Sequence, residues 1–318
     1  MNPANPFASL REEMDKHVIG HDEVKTALLL GIISREHIYI EGPPGTAKTM
    51  LSEIVSKAAQ LNFFFYQLHR DTRLSELVGD LTIVKEETEL GERIKQDIIK
   101  GGILTSEICL LDDISRAPGE SLNILLRILN ERKFFSESIP LLTAIATSNP
   151  TADEYYNEPL DPANLDRFIL QVKALGISYG RKWDEAKKVI ELYAEKPFEE
   201  KIPKRVSKKL FDKSYKKLEK IQIPPDVQEG LANFTAVMIE DFGLNETNSL
   251  ITDRTFFVKA LKLIRSHALL NERDVCSRED LDVLRYMTAF RVPPEVYDQM
   301  DNILRNIVQD KKKSQMTN

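Results

Sequence analysis

The feature that most constrains the fold is a loop rich in glycine and proline between an apolar run and a helix-like stretch. Residues 42–49 read Gly-Pro-Pro-Gly-Thr-Ala-Lys-Thr and directly follow the run 37–41. A strand, a glycine-rich loop with Lys-Thr and a helix place backbone N–H groups and a helix N-terminus around a polyphosphate. The pattern therefore predicts a phosphate-binding loop. Its predicted contacts are Gly42, Pro43, Pro44, Gly45, Thr46, Ala47, Lys48, Thr49 and Met50.

Two side chains of this loop carry the expected chemistry. Lys48 is predicted to place its charge on the β- and γ-phosphates, and the Thr49 hydroxyl to bind Mg²⁺. The general pattern has glycine at the position of Ala47, so this alanine is a departure. A methyl group is tolerable there if the residue has helical dihedral angles and need not adopt positive φ. A Pro/Gly turn that happens to precede Lys-Thr is the alternative interpretation.

Short β-rich runs alternate with helical patterns over residues 1–183, which predicts an α/β domain with a five-stranded parallel sheet. Strand signals stop near residue 184, so residues 184–310 are predicted to form an all-helical domain, followed by a basic, disordered tail at 311–318. The predicted strands are 37–41, 63–68, 108–112, 143–148 and 168–172, and the predicted helical segments are 184–196, 205–221, 225–241, 253–271 and 277–289.

Two hairpins are predicted to interrupt the α/β part. The segments 81–84 and 93–96 flank a polar stretch that contains Gly91, and a shorter hairpin is expected over 132–142. Both have alternating polar and apolar residues and polar tips, which indicates exposed hairpins.

Charge and cysteine content exclude several classes of protein. The 318 residues carry a net charge of −6. The sequence contains no run of about eighteen apolar residues, so no membrane span is predicted. Two distant cysteines, Cys109 and Cys276, argue against a disulfide frame or zinc site and for a reducing compartment. We therefore expect a cytoplasmic protein, with an organellar stroma or matrix as the alternative. The first ten residues do not resemble a signal peptide.

One segment is basic against this acidic background. Residues 196–220 contain ten Lys or Arg and four acids, with Phe211, Tyr215 and Leu218 at helical spacing. A solvated amphipathic helix is the favoured interpretation. Docking of nucleic acid or of an acidic partner is the alternative.

Polar residues follow three further apolar runs. Asp112 ends the run 108–112, and Asp113 follows it. A carboxylate at this place can hold Mg²⁺, which is the role given to Asp112. Asp113 would deprotonate the attacking water. Asn149 follows 143–148 and would lie near the γ-phosphate, although Asn-Pro also forms turns. Arg167 precedes the last run. It is either an arginine delivered to a neighbouring subunit's γ-phosphate or a structural arginine paired to Asp166 or another acid.

The order of these motifs resembles the MoxR family of AAA+ ATPases. The resemblance is carried by the loop 42–49, by Asp-Asp-Ile-Ser-Arg-Ala-Pro at 112–118 and by Ala-Thr-Ser-Asn-Pro at 146–150. Leu-Asp-Arg-Phe at 165–168 and Asn-Glu-Arg at 130–132 also match, and alanine before the lysine is usual in this family. The similarity covers roughly residues 5–290. Thr-Asp-Arg at 252–254 resembles the lid arginine of the family, the matches continue at 271–275 and 278–281, and this lid segment most resembles the RavA-like branch.

The resemblance implies roles for individual residues. It makes Lys48 and Thr49 phosphate and Mg²⁺ contacts, Asp112 the metal carboxylate and Asn149 the γ-phosphate sensor. It further implies that Arg167 is the finger acting in a neighbouring subunit, that Arg254 is the lid sensor, and that Arg116 is a second intersubunit arginine. Cofactors would be ATP and Mg²⁺. The partners implied are further copies of the chain in a hexamer, and a protein substrate with a von Willebrand factor A domain partner.

One residue departs from the family pattern, which has Asp-Glu where this chain has Asp112-Asp113. Aspartate is one methylene shorter than glutamate, so the Asp113 carboxylate would stop about 1.5 Å short. A misplacement of roughly 1 Å can cost about a hundredfold in rate. Three functions stay open: a ring-forming ATPase that remodels or activates a protein, a nucleotide-gated scaffold with little hydrolysis, and a DNA-linked motor. The acidic net charge weighs against the motor, so a nucleic-acid partner is not expected.

Overall fold

The computed structural model describes residues 5–88, 91–150, 160–177, 182–195, 201–249 and 254–309. The predicted tail at 311–318 and the start of the basic segment, 196–200, lie outside these residues. The strands are β1 Ile38–Glu41, β2 Phe63–Gln67, β3 Gly79–Thr88, β4 Gly91–Lys100, β5 Ile108–Asp112, β6 Lys133–Phe134, β7 Glu137–Ser138, β8 Thr143–Ser148 and β9 Leu170–Lys173.

Helices precede, connect and follow these strands. The α-helices are α1 Pro6–His17, α2 Asp22–Ser34, α3 Lys48–Ala58, α4 Leu74–Val78, α5 Gly119–Glu131, α6 Pro162–Leu165, α7 Trp183–Glu195, α8 Lys208–Leu218, α9 Pro225–Glu240, α10 Arg254–Leu270, α11 Arg285–Thr288, α12 Pro294–Tyr297 and α13 Met300–Gln309. Short 3₁₀ turns lie at Gly102–Leu104 and Ile114–Arg116, and a longer one at Arg278–Leu284.

The central sheet is parallel, with five strands in the order β2-β5-β8-β1-β9. Every predicted strand of the sheet is present, with ends shifted by two residues at most. The predicted α/β fold with helices after the sheet is therefore confirmed. Because all five strands run in one direction, the loops after them meet at a single edge, which we call the carboxyl end.

Both predicted hairpins are present. The first is longer than expected, because β3 and β4 pair over ten residues each, from Gly79↔Lys100 to Thr88↔Gly91. The second consists of β6 and β7, two residues each. Lys100 and Glu137 form an ion pair that connects the two hairpins.

The sheet separates two apolar layers. Ile38 and Ile40 of β1 face one layer, built with α1, α2 and α3, while Tyr39 between them faces the other, built with α4 and α5. The first layer continues into the helices after residue 200, through Phe211 and Leu263 for example. Because this core spans the predicted boundary at residue 183/184, the division of the chain into domains stays a prediction.

The predicted helical segments correspond to α7–α10, within three residues at each end. In α8, Phe211 and Leu218 are buried, Tyr215 is half-buried and the lysines are exposed, which agrees with a solvated amphipathic helix. The segment 277–289 differs from the prediction, since it begins as a 3₁₀ turn. There, Ser277 and Asp280 cap each other's backbone, and His267 and Arg273 also bind the Asp280 carboxylate.

Among the helices that the structure describes, none is both long and apolar enough to cross a membrane.

Candidate nucleotide-binding site

A cavity of about 560 Å³ lies at the carboxyl end of the sheet, beside the last residues of β5 and β8. One part is polar and is lined by the loop after β1 and by residues at the carboxyl ends of β2, β5 and β8. The other part is largely apolar. The lining residues are His17, Val18, Ile19, His21, Pro44, Gly45, Thr46, Ala47, Lys48, Thr49, Met50, Gln67, Asp112, Asp113, Asn149, Ile177, Val189 and Tyr193.

Lys48 supplies a buried positive charge at the start of α3. Its Nζ donates to the carbonyl oxygens of Gly42, at 2.5 Å, and Pro43, at 3.0 Å. Burial lowers the pKa of Lys48, and the carboxylates of Asp112 and Asp113 partly oppose that shift. The Gly42 amide donates to the Ser148 carbonyl at 3.0 Å, so β8 anchors the loop. The loop that the sequence predicts to bind phosphate lies between β1 and α3, with Lys48 at the start of the helix.

Ala47 corrects one expectation. It lies in the left-handed region with φ +56° and caps α3, so the condition of helical dihedral angles is not met. An L-residue with a Cβ is strained in this region by roughly 1–2 kcal/mol. Glycine occupies this position in the general pattern because it adopts the left-handed conformation without strain. Gly45, at φ +82°, has open space around it on the cavity side, where a ligand can approach the backbone.

Two carboxylates face the loop. The Asp112 carboxylate accepts a hydrogen bond from the Thr147 hydroxyl. Asp113, almost buried, accepts from the Asn149 amide at 3.1 Å and lies 3.7 Å from the Arg116 guanidinium. The structure thus brings Lys48, Asp112, Asp113 and Asn149 together, as expected. Arg116 lies beside Asp113 of the same chain.

Gln67 is a member of this group that the sequence reasoning missed. Its Nε2 donates to the Asp113 carboxylate at 3.4 Å. The available signal was its place as the last residue of β2, a strand that ends at the same edge as β5.

The apolar part of the cavity was also missed by sequence reasoning. Val18 and Ile19 come from the turn after α1, and Val189 and Tyr193 from α7. The Tyr193 hydroxyl donates to the His17 carbonyl at 3.0 Å, which ties α7 to that turn. A pocket with one apolar part and one part lined by Lys48 and a glycine-rich loop has a shape and chemistry suited to a nucleotide.

Arg167 and Arg254 are not among the described residues that line this cavity. Arg167 precedes β9 and donates to the Ala163 carbonyl at 2.9 Å, and Arg254 is exposed at the start of α10. Asp166 pairs with Arg291 at 3.3 Å. Among the described residues, Arg167 forms no ion pair with Asp166 or with another acid.

Arg167 instead lines a second cavity, of about 400 Å³, at the opposite, amino end of β1 and β9. We call it the amino-end cavity. Five cationic side chains and two acids contribute to it. Its lining residues are Arg35, Glu36, His37, Asn130, Arg132, Asp166, Arg167, Ile169, Tyr215, Thr255, Lys259 and Lys262.

Glu36 is the buried acid at the amino-end cavity. It accepts from Lys259 at 2.8 Å and from Lys262 at 2.7 Å, both on α10. Burial by itself would raise the pKa of Glu36, but Lys262 and Lys259 hold it below its ordinary value. Lys262 and Arg35 also lie over the Tyr215 ring, at 5.1 and 4.2 Å from its centre. Cationic groups therefore join α2, α8 and α10 at this end.

The donor set at the first cavity fits a magnesium–nucleotide complex. Within the described ranges, no group of three or more His, Cys, Asp or Glu side chains could hold a metal ion alone. Magnesium in nucleotide sites uses one or two protein oxygens and takes its other ligands from phosphates and water. Thr49 and Asp112 both line the cavity and offer such oxygens.

Comparisons with known proteins agree with this geometry. Residues 6–182 match the family model of the MoxR domain in MoxR–vWA–β-propeller ternary systems, and residues 231–291 match an AAA lid domain. An uncharacterised protein of Methanocaldococcus jannaschii is 30% identical over 300 residues, which cover 93% of this chain and 71% of the relative. Chaperone MoxR1 of Mycobacterium tuberculosis is 24% identical over 294 residues, covering 86% of this chain and 73% of the relative.

A solved structure supports the fold. The crystal structure of a proposed ATPase from Cytophaga hutchinsonii has a TM-score of 0.74, covers 95% of this chain and 94% of its own, and is 22% identical. The MoxR domain match spans more than half of the chain and includes the loop, both acids and Asn149. The chain therefore belongs to the MoxR family of AAA+ ATPases and is an ATP hydrolase.

Proposed function

We propose that the protein is a Mg²⁺-dependent ATPase that assembles into a ring, most simply a hexamer, and couples ATP binding and hydrolysis to remodelling or activation of a partner protein. The family model comes from systems that include a vWA component, and one relative is a chaperone. Both support a chaperone-like role with a von Willebrand factor A domain partner. A cytoplasmic location is part of the proposal.

In this proposal the cavity at the carboxyl end binds ATP. Lys48 contacts the β- and γ-phosphates, and Thr49 and Asp112 hold Mg²⁺, which would neutralise phosphate charge. Asp113 accepts a proton from the attacking water, and Asn149, which donates to Asp113 at 3.1 Å, positions that water near the γ-phosphate. His17, Val18, Ile19 and Tyr193 surround the base.

The observation that carries the ring assembly is the position of Arg167. It lies at the amino end of β9, whereas the ATP cavity lies at the carboxyl end. The four residues of β9 span roughly 13 Å, so Arg167 cannot serve its own subunit's γ-phosphate.

The test is ATP hydrolysis per protomer with Mg²⁺ across a wide range of protein concentrations. A rate that rises steeply and then saturates is expected, because assembly completes each site. Lys48→Ala and Arg167→Ala should each be inactive, and a mixture of the two should regain activity. If the mixture stays inactive although mixed assemblies form, Arg167 does not act between subunits.

A nucleotide-gated scaffold is the second candidate, and the state of Asp113 favours it. This carboxylate is shorter than the family's glutamate and is already held by Gln67, Asn149 and Arg116. Tight ATP binding and assembly with a flat, near-zero rate would support the scaffold. The remodelling ATPase would be supported by turnover that a partner protein stimulates.

The acidic net charge of −6 weighs against a DNA-linked motor, and the basic segment is partly neutralised. Three of its cations contact acids of the same chain: Arg205 binds Glu13 at 2.7 Å, Lys208 pairs with Glu107, and Lys217 pairs with Asp274. Cations held in this way contribute less to a phosphate-binding surface. Absence of binding to single-stranded DNA at low salt would agree with this, and salt-sensitive binding would contradict it.

A further inference from the structure

Helix α7 presents large apolar side chains to solvent. Trp183 is 66% exposed and Ile190 is 70% exposed. Seven residues separate them, so both lie on one side of the helix, two turns apart. We call Trp183 and Ile190 the outer face of α7. Exposed apolar surface of this kind indicates a contact with another protein.

The same helix forms a wall of the ATP cavity. Val189 and Tyr193 line the cavity, and the Tyr193 hydroxyl donates to the His17 carbonyl. It also lies 3.5 Å from the sulfur of Met50, which follows the phosphate-binding loop. Whatever packs on the outer face of α7 therefore adjoins the nucleotide.

A second copy of this chain is the occupant that fits. The ATP cavity lacks Arg167, so a neighbouring copy must bring its amino end close to α7 to complete the site. The charges are complementary, because α7 has four acids and two lysines, whereas the amino-end cavity has five cationic side chains and two acids. Such unlike surfaces join head to tail rather than like to like.

We propose that the outer face of α7 packs against the amino-end side of a second copy, and that this contact forms when the second copy places Arg167 at the ATP cavity. The inference rests on the proposed role of Arg167 between subunits. It adds an apolar contact that stabilises the assembly and connects it to the helix covering the nucleotide base.

Trp183 is the only tryptophan in the chain, so its fluorescence reports directly on this face. The experiment follows Trp183 emission and its quenching by acrylamide while sedimentation measures the assembly of the full chain with Mg²⁺ and ATP. We expect the emission to shift to shorter wavelength, and quenching to fall, over the same protein concentrations at which the sedimentation coefficient rises.

The variant Ile190→Asp tests the proposed contact of α7 directly. Because a charge would then enter an apolar contact, the protein concentration required for assembly should rise about tenfold or more. ATP binding by the unassembled protein should be unchanged, since Ile190 does not line the cavity. Ile239→Asp on α9, where the side chain is 43% exposed and lines neither cavity, is the control and should assemble normally.

The outcomes separate this inference from the proposed function. Assembly with an unchanged Trp183 signal, and an Ile190→Asp protein that assembles like Ile239→Asp, would overturn the α7 contact while leaving the role of Arg167 intact. Failure of the natural chain to assemble at any concentration, together with failed complementation, would overturn both.

Discussion

The carboxyl end of the central sheet and its amino end hold opposite chemistry. At the carboxyl end, Lys48 is buried among acceptors, with Asp112 and Asp113 facing it. At the amino end, cationic groups outnumber acids, and Arg167 lines the cavity there. In the proposed assembly, one end of the sheet holds the ligand and the other end meets an acidic group of a second molecule.

The strongest test of this comparison removes the Arg167 guanidinium. Arg167→Ala should lower the turnover number by about 10³–10⁵, because charge on the γ-phosphate in the transition state is no longer stabilised. The KM for ATP should change little, since the binding residues lie at the other end. Steady-state hydrolysis above the assembly concentration measures both. Arg127→Ala, at an exposed pair with Glu131, is the control. A loss confined to ATP affinity would contradict the assignment.

The second test concerns the acid that holds the amino end together. Glu36→Gln should lower the free energy of unfolding by about 3 kcal/mol, because Lys259 and Lys262 lose their buried counter-charge. The pKa of Glu36 is held below its ordinary value of 4.5, so its contribution is complete above that pH and is lost as the pH falls below it.

Thermal and urea unfolding of both proteins from neutral to acidic pH would measure this difference. Glu53→Gln is the matched control, since its pair with Lys57 is exposed and should contribute less than about 1 kcal/mol. A Glu36→Gln difference that persists at the same size well below pH 4.5 would argue against the ion-pair explanation.

The third test concerns the length of the acidic side chain at position 113, at the carboxyl end of the sheet. Asp113→Glu should raise turnover by about a hundredfold, because the longer side chain brings the carboxylate roughly 1 Å closer to the water. Single-turnover hydrolysis of bound ATP measures the chemical step apart from product release. Asp113→Asn should abolish hydrolysis, because an amide cannot accept the proton of the attacking water. An unchanged or lower rate for the glutamate variant would show that Asp113 is already well placed, held there by Gln67 and Asn149.

The smallest expected effect is at Ala47. Ala47→Gly should stabilise the protein by about 1 kcal/mol, because glycine adopts φ +56° without steric strain. Ala232→Gly, within α9, should instead destabilise by about 1 kcal/mol, as glycine does in a helix interior. Denaturant unfolding of both variants gives the comparison. Two changes of the same sign would mean that backbone strain at Ala47 is not the cause.

The sequence predicted local features well and spatial groupings less well. The five strands and the loop at 42–49 were predictable because apolar runs and glycine spacing are local signals. Ala47 was misjudged, since its φ is set by how α3 meets the loop. The amino-end cavity was not predictable, because Arg35, Arg132 and Lys259 come from distant segments that only the folded chain brings together. The apolar part of the cavity at the carboxyl end depends in the same way on α7 reaching the turn after α1.

The parallel sheet, with unlike ends, affects how many complete sites an assembly can contain. If each complete site needs the carboxyl end of one copy and the amino end of the next, an open row of copies always has one site fewer than it has members. A pair would then work at half capacity per protomer, and longer rows would approach full capacity without reaching it. Only closure of the row removes the idle ends. The dependence of activity per protomer on assembly size would therefore distinguish open rows from closed rings without any image of the particle.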